Sequence, residues 1–341
     1  MPAEVSKVEA NTKPFSLFDL VYKYGTVAVI AIVVLLFSIV NPYFFTYDNI
    51  TDILRSISIV TFVAVGVTFS LIVGGFDLSV GSTVSLTTVV SASMMVWYEQ
   101  GPLVTLAVPI VLSLIVGLVN AFLAVKIRIM DMLATLAMLY IVNGIHTTYS
   151  KGYSIYANMP MQDGTNAPGK FQDWFLWLGQ GEILSVPVPV VLTFLLVALT
   201  HVYLTYTRQG RMLYMTGGNL EAARLSGIPV DRYRTLAYVL SALFAGLGGI
   251  LLAARVGTGQ VSAGGSMLMD AVAAAFVGFS VFGAGKPNVF GTFVGAILIG
   301  VLLNGMTMLN LPYYSYDIVK GIVLAVALAV TYYQVRRKRR A

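Results

Sequence analysis

The sequence predicts an all-α, polytopic membrane protein of about ten spans, and three observations carry that class. The 341 residues are 57% hydrophobic and only 11% charged, where soluble domains carry roughly 25% charged residues. Their mean hydropathy is +0.83. Apolar stretches of about 18 or more residues, each long enough to cross a bilayer as a helix, recur along most of the chain.

The spans fall at 25–41, 57–73, 79–97, 103–125, 132–149, 187–206, 235–254, 269–285, 288–308 and 316–334. The opening MPAEVSKVEANTKPFSLFDLVYKY is polar and mixed in charge, and no cleavage pattern follows the apolar run ending at Asn41-Pro42. That run therefore reads as a retained span, residues 1–24 as a cytoplasmic tail and 25–334 as the membrane domain. With the N-terminus inside, sixteen basic residues lie inside: Lys7, Lys13, Lys23, Lys126, Arg128, Arg208, Arg211, Arg224, Arg232, Arg234, Lys286, Arg336, Arg337, Lys338, Arg339 and Arg340. Five lie outside: Arg55, Lys151, Lys170, Arg255 and Lys320. This bias toward positive cytoplasmic loops puts both termini in the cytoplasm. The basic tail 335–341 directly follows a span, so it reads as a topology anchor drawn to anionic lipid rather than a nucleic-acid patch.

Residues 150–186 form the extracellular loop, with Trp174, Phe175 and Trp177 suited to the membrane interface. The cytoplasmic loop, 207–234, holds five arginines. The chain has no cysteine, which excludes disulfides and thiolate chemistry, and His146 and His201 stand alone without a ligand set. No metal and no cofactor are expected.

A faint internal repeat relates the halves. GLVNAFLAVKIRIMDMLATLAM (117–138) and GVLLNGMTMLNLPYYSYDIVKG (300–321) each close one span and open the next, with Asn120 and Asn304 at an offset of about 184. GGFDLSVGS (74–82) has a loose counterpart in GGSMLMDAV (264–272), which roughly matches Asp77 with Asp270. Five spans per half is odd, so the halves cross in opposite senses, as an inverted 5+5 repeat requires.

GGFDLSVGS also interrupts the apolar run 57–96, whose length of about forty residues allows two spans and no loop. The segment is then the turn itself, buried in protein or lining a wet cavity, because hydrocarbon does not tolerate exposed irregular backbone. Its glycines permit a tight reversal. Asp77 is placed to cap the third span, and an intramembrane carboxylate also marks a gate; the two readings are compatible. Gly74, Gly75, Asp77, Ser79, Gly81, Asn120 and Asn304 are the candidate path or gate residues, with bonds between helices an equal reading for the two asparagines.

In the cytoplasmic loop, NLEAARLSG (219–227) reads as a short helix. Asn219 is its N-cap, Glu221 suits the N-terminal end of the helix dipole, and Gly227 followed by Ile228-Pro229 stops it. So short a helix is unstable alone and must rest on the membrane domain or a partner.

Glu221, Ala222, Ala223 and Gly227 in this setting resemble the coupling helix of bacterial ABC importer permeases. With GGFDLSVGS, LVNAFLAVKIRI and GGNLEAARLSGI in order, the chain from about residue 20 is similar to the monosaccharide-type permeases of ribose and arabinose uptake systems. The resemblance implies that Asn219, Glu221, Ala222, Ala223 and Gly227 dock on a separate ABC ATPase. It further implies an extracellular solute-binding protein, a second permease copy (the same chain or a homologue) and residence in the bacterial cytoplasmic (inner) membrane. The solute would be small, neutral and polyhydroxylated, such as a pentose or hexose. Phe76 replaces the family's usual isoleucine, and GFSVFGAGKPN (278–288) departs from its glycine-rich turn, which loosens any carry-over of substrate identity.

The same stretch fails as a phosphate loop, with Ser280 where a glycine is needed and Pro287 in place of the hydroxyl residue. The chain thus reads as a transport subunit without its own ATPase site, not as an enzyme. The rival is an ion-coupled secondary transporter, which also favours inverted repeats. The near-absence of titratable residues in mid-span disfavours proton coupling and leaves sodium coupling open.

Overall fold

The computed structural model describes residues 17–161, 164–281 and 285–338. Most of the N-terminal tail, with Lys7 and Lys13, lies outside the described residues, as do Arg339 and Arg340 and positions 282–284 of the 278–288 stretch.

The chain is mostly helical. Its helices are α1 (Leu17–Val40), α2 (Tyr47–Ile72), α3 (Val80–Val96), α4 (Pro102–Ala121), α5 (Asp131–Tyr149), α6 (Asp173–Gln180), α7 (Val188–Tyr206), α8 (Arg208–Gly218), α9 (Leu220–Leu225), α10 (Val230–Val256), α11 (Ala263–Ser280), α12 (Val289–Met308) and α13 (Tyr316–Lys338). A small antiparallel hairpin, β1 (Glu182–Ile183) and β2 (Val186–Pro187), precedes α7. Among the described residues, five helices are long and apolar enough to cross a membrane: α2, α4 with its π-helical continuation to Lys126, α7, α10 and α12. α3, α11 and Tyr24–Val40 of α1 are apolar but shorter.

α2 and α10 form the centre. The apolar window of α2 is 83% buried and that of α4 only 28%, so α2 threads the core while α4 turns a broad apolar face outward. α10 packs against α2, α3 and α4, whereas α2 also carries α11 and α12. Small residues bring these backbones together, as expected where lipid supplies no hydrophobic drive between helices. A Cβ at Gly66 of α2 would sit 2.6 Å from the Ser241 carbonyl oxygen of α10. The Thr68 and Thr292 hydroxyls meet at 2.7 Å between α2 and α12.

Several helices depart from their hydropathy bounds. α2 begins at Tyr47, not 57, because Asp48, Asn49, Asp52 and Arg55 disguise its first turns; Arg55 bonds Glu182 of β1 at 2.9 Å. α11 begins at Ala263, not 269, its start hidden by Gly264 and Gly265. The 150–186 loop folds back onto α3 and α10. Phe175 is fully buried there with Phe171, Met95 and Ala253, while Trp177 stays 48% exposed.

Candidate functional site

The 73–79 segment leaves helical conformation at Gly74, whose φ of +75° suits a residue without a Cβ. α3 resumes at Val80, so Gly81 and Ser82 belong to the helix and not to the turn. There a Cβ at Gly81 would lie 2.7 Å from the Gly264 carbonyl oxygen, so this glycine serves the α3–α11 contact. Asp77 is fully buried, and its Oδ1 accepts from the Ser79 backbone N–H at 2.9 Å and the Ser79 hydroxyl at 2.7 Å. Reaching the amide two residues on, the carboxylate forms an Asx-type turn. It fixes the amide of Ser79, the residue of near-helical angles (φ −73°, ψ −8°) that leads into α3. The Asn120 amide of α4 donates to Ser79 Oγ at 2.7 Å, and Thr135 of α5 donates to the Phe76 carbonyl at 3.1 Å.

Beside this turn, Arg234 of α10 grips both carboxylate oxygens of Asp131 at the start of α5, at 2.6 and 2.8 Å. Tyr238 is fully buried one turn further along α10. A Cβ at Gly75 would sit 2.5 Å from Tyr238 Oη and 2.9 Å from Asp131 Oδ2, so only glycine fits. A cavity of about 810 Å³ opens here, lined by Gly74, Gly75 and Phe76 of the turn and by Leu220 and Arg224 of α9. Its size is that of small-molecule sites. The turn and the short α9 helix, separate in sequence, share one cavity.

α9 is built from local chemistry. Asn219 Oδ1 accepts from the Ala222 amide at 3.0 Å. Gly227 takes φ +76°, and the Ile228 amide closes back on the Ala223 carbonyl at 3.0 Å. Ala223 packs inward with Ile228 and Val230, while Glu221, Ala222 and Leu225 face out. α8, hidden in the sequence by its glycines, lies across the end of α2, where a Cβ at Gly217 would collide with the Ile72 carbonyl oxygen. Tyr214 of α8 donates to the Pro287 carbonyl at 2.9 Å. Burial pushes its phenol up to about 12, so this donor keeps its proton at physiological pH. α8 thus touches both the end of α2 and the link into α12.

Asn304 stands apart, donating at 2.8 Å to Asn49 near the opposite end of α2 from the turn. The structure therefore joins Asn120, but not Asn304, to Asp77. Asp131, Arg234 and Tyr238 were not among the sequence candidates. Their signal was the stripe Asp231, Arg234, Tyr238, Ser241, spaced by three, four and three residues on one face of α10. Missed as well is a buried ion pair, Lys320 Nζ to Asp270 Oδ1 at 2.8 Å, between α13 and α11.

A helical bundle with several apolar helices of spanning length, a cavity at one end and a short capped helix across that end has the form of a transport-system permease. Residues 49–328 match the family described as branched-chain amino acid transport system / permease component, and the chain belongs to that family. It is 36% identical over 305 residues to the ribose import permease protein of Escherichia coli strain K12, covering 89% of this chain and 92% of that one. It is 31% identical over 325 residues to the ribose import permease protein of Bacillus subtilis strain 168, covering 95% and 97%. Against the L-arabinose ABC transporter permease protein of Azospirillum brasilense the identity is 30% over 324 residues, covering 95% and 91%. No solved structure matches the chain.

Proposed function

We propose that this chain is the membrane-spanning subunit of an ABC importer. It passes a small neutral polyhydroxylated solute, a pentose or hexose, from an extracellular binding protein to the cytoplasm. A separate ATPase powers it by docking at Asn219, Glu221, Ala222, Ala223 and Gly227, and it works beside a second permease, the same chain or a homologue. The carrying observation is the shared cavity, since α9 and the Gly74–Phe76 turn line one space through which motion of a docked partner would reach the path. Relatives named for ribose and arabinose import support the solute class.

Ten spans with both termini cytoplasmic, in an inverted 5+5 arrangement, are part of this reading. Paired lengths support it: α2 and α10 have 26 and 27 residues, and the helices that follow, α3 and α11, have 17 and 18. α3 packs on α4 and α5 much as α11 packs on α12 and α13.

The test is co-expression with a partner ATPase and binding protein of this importer class, purification of the complex, and sugar uptake into proteoliposomes. ATP-dependent uptake of a pentose or hexose is expected. An isolated chain that hydrolyses ATP, or uptake that follows a sodium or proton gradient without ATP, would sink the reading.

A further inference from the structure

The stripe on α10 makes contacts that join three separate elements. Asp231 lies 3.7 Å from Arg224 of α9. One turn on, Arg234 holds Asp131 of α5 through both carboxylate oxygens. Tyr238 then presses its hydroxyl toward Gly75, and Ser241 lies beside the Asp77 carboxylate. The Arg234 and Asp131 side chains are only 18% and 17% exposed, so solvent screens their pair far less than a surface one. The guanidinium fork also fixes direction, which a lysine ammonium cannot do.

From this geometry we infer that Arg234, Asp131 and Tyr238 form a strap that holds the 73–79 turn closed against α10 and ties its position to α9. They are positioning residues for energy coupling. Because α10 is a continuous helix from Val230 to Val256, tilting its first turns by a load on α9 moves the strap and the turn as one body. The strap biases two arrangements of the turn, closed and released. The inference rests on the importer reading for its purpose, but the strap itself can be tested without it.

The chain has no cysteine, so Leu78→Cys gives a single probe on the half-buried turn. In inverted membrane vesicles, its reaction with a water-soluble maleimide should be slow. Adding Arg234→Gln or Asp131→Asn should raise that rate about tenfold, and Arg234→Lys should raise it less. The exchanged pair Arg234→Asp with Asp131→Arg should return it toward the starting value. In the reconstituted complex without the probe cysteine, Arg234→Gln should keep the ATPase bound and hydrolysing while uptake per ATP falls at least tenfold. Unchanged labelling in both Arg234 variants, or unchanged uptake per ATP, overturns the strap. Loss of the ATPase from the complex in proportion to lost uptake also overturns it, because the residues would then serve docking. If the unsubstituted chain neither binds an ATPase nor imports sugar, the proposed function falls, and the labelling rates still decide the strap.

Discussion

Two adjacent glycines meet very different surroundings. At Gly217 a methyl group would run into the Ile72 carbonyl, whereas at Gly218 a Cβ meets open space. Gly217→Ala is therefore expected to cost about 2 kcal/mol by overpacking and to lower the unfolding temperature in detergent by several degrees. Gly218→Ala should be neutral or gain about 0.5 kcal/mol from helix propensity. Equal shifts in scanning fluorimetry would mean that α8 does not press on α2 as described. Asp77 allows a similar separation of shape from charge. Asparagine keeps the oxygen that accepts from the Ser79 amide and hydroxyl. Leucine would strand both donors in the interior, at about 1–3 kcal/mol for each buried group. Asp77→Asn should retain yield and thermal stability, and Asp77→Leu should lose both. An Asp77→Asn protein that is stable but transports nothing would show that the charge itself works in the gate.

α9 shows at the level of the element why some structure was readable and some was not. Its cap and its stop involve atoms within a few residues, Asn219 to Ala222 and Ala223 to Ile228, so residue identity alone suffices. The turn was visible because polar residues break an apolar run. The Arg234–Asp131 grip joins residues 103 apart, and no local pattern pairs them. α8 was lost because Gly210, Gly217 and Gly218 depress helix propensity, and the close approach that Gly217 serves exists only once α2 is in place. The locality of the α9 cap makes a clean test of this element. Asn219→Ala should cost about 1 kcal/mol of helix stability, and Asn219→Asp should preserve the cap. If α9 is the docking element, Asn219→Ala weakens ATPase co-purification several-fold without changing membrane insertion, and Asn219→Asp restores it. Identical co-purification by all three proteins would move the docking surface elsewhere.

At the scale of the whole molecule, α13 joins the bundle chiefly along α11, and the strongest single contact there is Lys320 to Asp270. Elsewhere α13 turns Ile318, Ile322 and Val326 outward, 65%, 58% and 57% exposed, a stripe at four-residue spacing suited to lipid or to a second copy. A helix attached this way depends on the pair's balance more than on its attraction. Burying two charges costs several kcal/mol per ion, and their mutual attraction does little more than offset that cost. Removing one partner leaves the other charge unopposed. Lys320→Met or Asp270→Leu alone should therefore destabilise the protein by about 3–5 kcal/mol, seen as a large fall in unfolding temperature and early proteolytic loss of α13. The double variant Asp270→Leu/Lys320→Met removes both charges and should recover most of that stability. If instead the double variant is as unstable as the worse single one, α13 is held by the geometry of the pair, and apolar packing along α11 cannot replace it.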